Sequence, residues 1–347
     1  MTEGFSFYIR SVFPVLLTLI IISLFITALL IMLLKPLLIR YALARPNARS
    51  SHTIPTPQGG GIAILLTSMF LMLSYSLLGY PISKMLLILG WSLPLAFMGG
   101  MDDIRPLPPV FRLVIQVLIC AGLVFFATLD ANGIFTDFIP FWMEYGLLVL
   151  TLVWFVNLFN FMDGLDWICV CEAVPLLAAL CFFFIMSGTM PEAFLAASLL
   201  GGFLAFAFFN KPIARLFLGD AGSLPLGLLI GYLLLELADQ GAFVSALLLP
   251  LYYLCDATIT LLKRFIQKKH VFQAHREHYY QQATDNGYSV LFIDGVVFSL
   301  NLALVLLAVI AYFYSSVMIQ FICLCLGLVC VFSVMRLFSL TKRTRET

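Results

Sequence analysis

The sequence predicts an all-α polytopic integral membrane protein with about eleven transmembrane helices. Three observations lead there. Of 347 residues, 62% are hydrophobic and only 11% are charged, whereas soluble domains carry about a quarter charged residues. Mean hydropathy is +1.06. Apolar runs of about 20 residues recur from end to end, each long enough to cross a ~30 Å hydrocarbon layer as a helix. In lipid a helix satisfies its own backbone polar groups, which makes one α-helical membrane domain over 1–347 the expected architecture.

Taken in order, the expected spans are 13–34, 61–79, 84–101, 110–128, 143–161, 168–187, 191–209, 221–237, 241–262, 291–313 and 315–336. Pro and Gly mark several of their borders. The first run is too long for a signal-peptide core, and no small-residue cleavage site follows it. No internal repeat or low-complexity segment interrupts the series. Orientation follows from the basic residues. Of 19 Lys and Arg, all but Arg10 and Lys84 fall in the odd-to-even connections or the C-terminal tail. The positive-inside bias puts those connections and the C-terminus in the cytoplasm of a bacterial inner membrane, and the N-terminus outside. The net charge of +1 gives no field for nucleic acid. The eight cysteines lie in apolar runs, where buried small side chains are expected rather than a disulfide framework or a metal site.

Five polar stretches stand out from this background: RPNARSSHTIPTPQGGG (45–61), MDDIRPLPP (101–109), NLFNFMDGLDW (157–167), FLGDAGS (217–223) and KKHVFQAHREHYYQQ (268–282). Each falls at a helix end on the expected cytoplasmic side. Carboxylates at membrane depth cost ~2.5–3.5 kcal/mol each, so they mark a pathway or a site. Asp102, Asp103, Asp163, Asp166 and Asp220 all lie within a few residues of an apolar run. Five aspartates with few basic neighbours repel one another unless a cation sits among them. A hard ion with oxygen ligands is expected; Mg²⁺ suits, since it keeps waters and binds substrate phosphates, with Mn²⁺ as an alternative. The glycines at 59–61 and the GDAGS stretch open two spans, where free N–H groups would receive a phosphate. Carboxylates, a metal and anion sites together imply phosphate chemistry at the inner face.

With these residues in view, the chain resembles the polyprenyl-phosphate N-acetylhexosamine-1-phosphate transferases, the MraY/WecA-like family. The matching motifs run in order as PNARSSHTIPTPQGGG, DDIRPLPPVFR, NLFNFMDGLD, FLGDAGSLPLG and AHREHYYQ, from residue 45 to about 282. The last is closer to the O-antigen-initiating branch than to the peptidoglycan enzyme. The resemblance implies transfer of a sugar 1-phosphate from a UDP-N-acetylhexosamine to undecaprenyl phosphate, releasing UMP with Mg²⁺. It leaves the particular sugar, a homodimer, and the choice between direct displacement and a covalent intermediate open.

The resemblance also implies roles. Asp220, in GD-x-GS, is the first candidate metal ligand; as plain structure it would be an N-cap for the eighth span. Asp102 is the candidate base for the lipid phosphate or a second ligand of the ion. Asp103 has either a catalytic role or a salt bridge to Arg105. Asn157, Asn160, Asp163 and Asp166 recur every three residues, which winds them around half a helix, and Gly164 lets the chain leave that helix. Asn160, Asp163 and Asp166 are expected at the nucleotide or the metal, with Asp163 counted among the catalytic acids. Asn157, the deepest, suits interhelical hydrogen bonding equally well. Trp167 departs from the family, which has Gly there; it is read as an interfacial anchor or as a reshaped cleft wall. His275, Arg276 and His278 are expected to contact diphosphate or sugar, against the plainer reading of a basic surface loop. Arg49 and His52 are assigned to phosphate. Glu172 and Asp256, inside spans, are either supports of the site or partners of a neighbouring helix.

A transporter with a carboxylate site at one face is the rival function, and a non-catalytic scaffold a second. Transporters place polar groups near the midplane and on both sides of it. Here they gather at one face, apart from Glu236 and Asp239.

Overall fold

The structure is a computed structural model that describes residues 2–44, 55–127, 134, 139–269, 275–314 and 316–341, with side chains from residue 12 onward. It is an all-α bundle. The helices are α1 (Thr2–Tyr41), α2 (Gly61–Leu77), α3 (Ser83–Ile104), α4 (Pro109–Ala127), α5 (Phe141–Phe161), α6 (Ile168–Ser187), α7 (Met190–Asn210), α8 (Asp220–Leu237), α9 (Phe243–Leu248), α10 (Leu251–Ile266), α11 (Tyr279–Asp285), α12 (Val290–Phe313) and α13 (Val317–Phe338). Strands β1 (Leu43–Ala44) and β2 (Thr56–Pro57) pair antiparallel. Among the described residues nine helices are long and apolar enough to cross a membrane, and α2 is a shorter apolar helix of 17 residues.

Helix α8 lies at the centre. It is buried along its length and packs against α2, α3, α5 and α6. Helix α7 packs on α1, α2 and α6, and α12 on α6, α9 and α13. Helices α1, α4, α12 and α13 turn large apolar side chains outward, among them Phe25, Leu118, Phe125, Leu306 and Phe321. An apolar exterior around an apolar interior is the arrangement expected when the solvent is lipid.

Small residues set how closely α8 is approached. A methyl group at Gly99 of α3 would collide with the backbone of Asp220 and Ala221, and one at Gly61 of α2 with Gly222. The first turn of α8 is therefore clamped backbone to backbone by two other helices.

The ninth expected span is not continuous. The stretch Ala238–Ala242 forms a π-helical turn, with Gly241 at φ +85°, and the helix that follows breaks into α9 and α10 around Pro250. Proline lacks the N–H that an unbroken helix needs at that point. Helix α11 lies where the sequence predicts a loop. It is anchored by Asp256 of α10, whose Oδ1 accepts the Tyr279 N–H at 3.0 Å and whose Oδ2 accepts the Tyr280 N–H at 3.3 Å. Asp256 is fully buried and also meets the Tyr252 and Thr260 hydroxyls, so it serves the packing of α11. Glu172 likewise serves a neighbouring helix: its Oε2 accepts from Asn301 of α12 at 2.7 Å. At the opposite end of the bundle, Glu236 pairs with Lys84 at 2.7 Å and with the Tyr232 hydroxyl. All eight cysteines are free.

Trp167 starts α6 from the left-handed region, at φ +63° and ψ −13°. That conformation suits Gly and costs a bulky residue about 1–2 kcal/mol. Two hydrogen bonds offset the cost. The Trp167 N–H donates to Asn210 Oδ1 at 2.8 Å, and the indole N–H donates to the Ala207 carbonyl at 2.7 Å. The residue is thus a tether between the 162–167 corner and α7, and the backbone it adopts is the one a Gly would have taken.

Two outcomes are expected. Gly99→Val should lower the apparent melting temperature of the detergent-solubilised protein and reduce its yield. The strain is on the order of 1–3 kcal/mol or more, because the obstacle is backbone; a thermal-shift scan with size-exclusion detection reads it. Trp167→Gly should also destabilise, by about 2 kcal/mol, since the lost packing and indole bond outweigh the relief of backbone strain; an unchanged melting temperature would mark the tether as dispensable.

Candidate functional site

Four of the five polar stretches meet at one end of the bundle. The chain after β2 docks along the stretch before α8: Phe217 N–H donates to the Pro57 carbonyl at 2.9 Å, Gly60 N–H to Phe217 at 2.9 Å and Gly61 N–H to Leu218 at 3.1 Å. These bonds correct the expectation that the glycine-rich start of α2 offers free donors. The N–H groups of Gly60 and Gly61 are already engaged, and the glycines serve close packing.

The start of α8 is occupied too. Asp103, in the last turn of α3, accepts the Asp220 N–H at 2.9 Å through Oδ1 and the Ala221 N–H at 3.0 Å through Oδ2. The first N–H groups of a helix have no intrahelical partner and attract negative charge. Asp103 thereby caps α8 from another helix. Its carboxylate partners are these backbone amides; among the described residues no ion pair joins it to Arg105. Gln58 Nε2 donates to the Asp103 carbonyl at 2.8 Å, tying the same residue to the segment before α2.

Because Asp103 does the capping, Asp220 does not. The carboxylate of Asp220 faces sideways instead. Asn160 Nδ2, at the end of α5, donates to Asp220 Oδ1 at 2.8 Å and to Ser223 Oγ at 2.7 Å. Arg112 Nη1, in the first turn of α4, lies 3.4 Å from Asp220 Oδ2 and forms a close ion pair with Asp102 Oδ2. Asp102 Oδ1 accepts the Leu107 N–H at 2.6 Å, which fixes the turn between α3 and α4. The adjacent aspartates therefore divide: Asp102 turns to the cation and Asp103 to the helix start, as the ~100° step of a helix requires.

One cation already sits between two carboxylates from different helices. Among the described residues no group of three or more His, Cys, Asp or Glu is arranged to hold a metal by itself. Two carboxylates converging on one positive group nonetheless fit Mg²⁺, which is commonly held by one or two carboxylates with the rest of its oxygens from water and substrate phosphate. Asp163 stands apart from that pair. Its Oδ1 accepts from the Cys169 thiol at 3.1 Å. Burial first, then the charges of Asp103 and Asp166, push its carboxyl up to about 7, against the lowering effect of the thiol.

The 162–167 corner joins this acidic half to the histidine-bearing half. Tyr280 hydroxyl donates to the Phe161 carbonyl at 3.0 Å, and Gly164 leaves room that a side chain would deny to Tyr280 and Gln281. His278 is buried at the start of α11, with Nδ1 3.2 Å from Asp256 Oδ1, and its ring stacks on His275 at 4.9 Å between centroids. Burial, followed by the neighbouring His278 and Arg264, lowers His275 to about 4, so it is neutral at physiological pH. Arg276 reaches Asp285 and Thr284, each at 3.4 Å. Asp166 turns from the corner to the Ala214 N–H at 2.9 Å. Asn157 donates to Gln116 of α4 at 2.7 Å, an interhelical bond. Arg49 and His52 lie outside the described residues.

Several residues of this end escaped the sequence reading. Arg112 closes the motif DDIRPLPPVFR and counts toward the orientation, but the sequence assigns it no role at the site. Its position ten residues after Asp102 was the available signal, but nothing in the spacing showed that α4 would return it to α8. Asn210 carries both Trp167 and the Leu216 carbonyl, the latter at 3.0 Å. Gln58 and Ser223 fall inside the polar stretches 45–61 and 217–223 without a role of their own, and Cys169 reads as one more buried small residue of an apolar run.

The chain is matched by the model of glycosyl transferase family 4 over residues 85–238, from the start of α3 to the end of α8. It is similar to a probable undecaprenyl-phosphate N-acetylglucosaminyl 1-phosphate transferase of Bacillus subtilis, 24% identical over 81% of this chain and 84% of the relative. An undecaprenyl-phosphate alpha-N-acetylglucosaminyl 1-phosphate transferase of Thermotoga maritima is 28% identical over 74% and 77%. A phospho-N-acetylmuramoyl-pentapeptide-transferase of Streptococcus sanguinis is 27% identical over 60% and 67%. The matched region contains Asp102, Asp103, Arg112, Asn160, Asp163 and Asp220, and the family model and relatives with two different transferred groups in their names together support the likeness to the MraY/WecA-like family.

Proposed function

We propose that this protein transfers a sugar 1-phosphate of the N-acetylhexosamine type from a UDP-sugar to undecaprenyl phosphate, releasing UMP and starting O-antigen or another cell-surface glycan. The observation that carries the reading is the meeting of Asp102, Asp220, Asn160 and Arg112 inside the region shared with the sugar-phosphate transferases. The relatives' names supply the acceptor and the transferred group, a sugar 1-phosphate.

The reaction breaks one phosphoanhydride and forms another. An oxygen of the lipid phosphate becomes bonded to the phosphorus next to the sugar, and the bond from that phosphorus to UMP breaks. Its barrier is the approach of one anion to another. Asp220 and Asp102 are the proposed holders of Mg²⁺, or Mn²⁺ in its place, and the bound ion supplies charge neutralisation at the diphosphate. Asn160 orients Asp220 by filling its second oxygen. Arg112 is a fixed cation beside both acids, placed to meet phosphate charge as it develops. Asp103 holds the start of α8 and so the position of Asp220. Asp163, with a carboxyl near 7, is suited to exchange a proton at neutral pH. Asp166, His275, Arg276 and His278 are assigned to the donor's nucleotide, diphosphate or sugar, and Arg49 and His52 to phosphate. The lipid acceptor cannot leave the bilayer and the nucleotide sugar cannot enter it, so a site at the inner boundary is where they meet. The Lys and Arg asymmetry supports a cytoplasmic site, an N-terminus outside and a C-terminus inside.

Membranes containing the protein should release UMP from UDP-N-acetylglucosamine or a related UDP-sugar when undecaprenyl phosphate and Mg²⁺ are present. Asp220→Asn should reduce that release by about a hundredfold or more, the scale of losing a charge-stabilising group, with folded protein retained on size-exclusion chromatography. Uptake of the sugar without UMP release would favour transport instead. Reporter fusions within 263–290 should read cytoplasmic, and labelling of that segment from outside would reverse the orientation.

A further inference from the structure

Asp163 stands where α5 ends and α6 begins, and the groups that face it come from every side. Asp103 approaches from α3, Asp166 from the same corner, Cys169 from α6, Tyr253 from α10 and Tyr280 from α11. Among these the Cys169 thiol makes the direct hydrogen bond, S–H to Oδ1 at 3.1 Å. Cys169 is fully buried in the first turn of α6, and its sulfur accepts the Tyr253 hydroxyl at 3.8 Å. Tyr253 is itself fully buried, its ring 6.0 Å from that of Phe159. The donors thus run in one direction, from Tyr253 to Cys169 to the carboxylate.

We propose that Cys169, backed by Tyr253, is a positioning residue for Asp163: its thiol fixes the orientation of that carboxylate. A thiol is a weaker hydrogen-bond donor than a backbone N–H or a guanidinium, so it orients a carboxylate with less electrostatic pull. The contrast is present in the same site. Asp103 receives two backbone amides and Asp102 a guanidinium, whereas Asp163 receives sulfur.

The use made of Asp163 in turnover rests on the transferase reading; the hydrogen bond does not, and it is measured without turnover. The experiment is an infrared pH titration of the full-length protein in detergent. The band of the protonated Asp163 carboxyl is assigned by its loss in Asp163→Asn, and the Cys169 S–H stretch by its loss in Cys169→Ala. Asp163→Asn should shift the S–H band. Cys169→Ala should raise the Asp163 midpoint by about half a pH unit, the scale of one weak donor lost from a carboxylate. Cys169→Ser, which restores a donor, should return the midpoint to or below the wild-type value, and Tyr253→Phe should move it upward by less than Cys169→Ala. The pH profile of UMP release should move in the same sense. A midpoint and an S–H band that stay put in folded variants overturn the proposal. Bands that shift as expected with no UMP release under any donor would sustain the hydrogen bond and remove the transferase reading.

Discussion

The carboxylate of Asp103 is the contact on which this end of the molecule depends. It accepts the first two N–H groups of α8 while its own carbonyl accepts from Gln58, so α3, α8 and the segment leading to α2 are joined at one residue. Hydrogen bonds to a charged acceptor contribute about 1.5–3 kcal/mol each, and leaving buried amides unpaired would cost a similar amount. The helix start needs an acceptor at that point. By providing it from α3, the fold leaves the side chain of Asp220 free to turn toward Asn160 and Arg112. A carboxylate that capped its own helix would be spent on the backbone.

That arrangement requires close approach, and glycine permits it. Gly99, Gly61 and Gly222 bring α2, α3 and α8 to backbone contact, where dispersion and interhelical packing stand in for the hydrophobic effect that lipid does not provide. Gly219, at φ +74°, turns the chain into α8 against the Asp103 carboxylate. The polar groups of the site are therefore set by main-chain positions rather than by long flexible side chains. Such rigidity suits electrostatic chemistry, in which groups must already be placed before charge develops.

Much of this was legible in the sequence. Hydropathy and span length gave the helical membrane class, because lipid leaves few other solutions. The clustering of Asp102, Asp103, Asn160 and Asp220 at one end followed from their places at span borders. Other features were hidden for physical reasons. A carboxylate before a helix reads as its cap, so the exchange of roles between Asp103 and Asp220 depends on tertiary contact. Glycines before a helix read as an anion site, although here their N–H groups bond to Phe217 and Leu218. The left-handed backbone at Trp167 was concealed by a side chain that normally avoids it, and its two bonds to α7 explain how it is tolerated. Arg112 required knowing how α4 folds back.

The break at Pro250 precedes the helix that carries the histidine-bearing half of the site. The acidic half is welded to the centre of the bundle through main chain, by α2, α3 and α8. The histidine-bearing half follows α10, beyond the interruption, where the carboxylate of Asp256 grips the start of α11, and it is tied to α5 through Tyr280 and to α13 through Asn286. Helix α10 carries Tyr253 and α11 carries Tyr280, and both face Asp163, so a displacement of α10 would reach that aspartate through the 162–167 corner. Asp102, Asp103 and Asp220 are thus set by main-chain contacts of the bundle, whereas Asp163 stands between the two halves and answers to both.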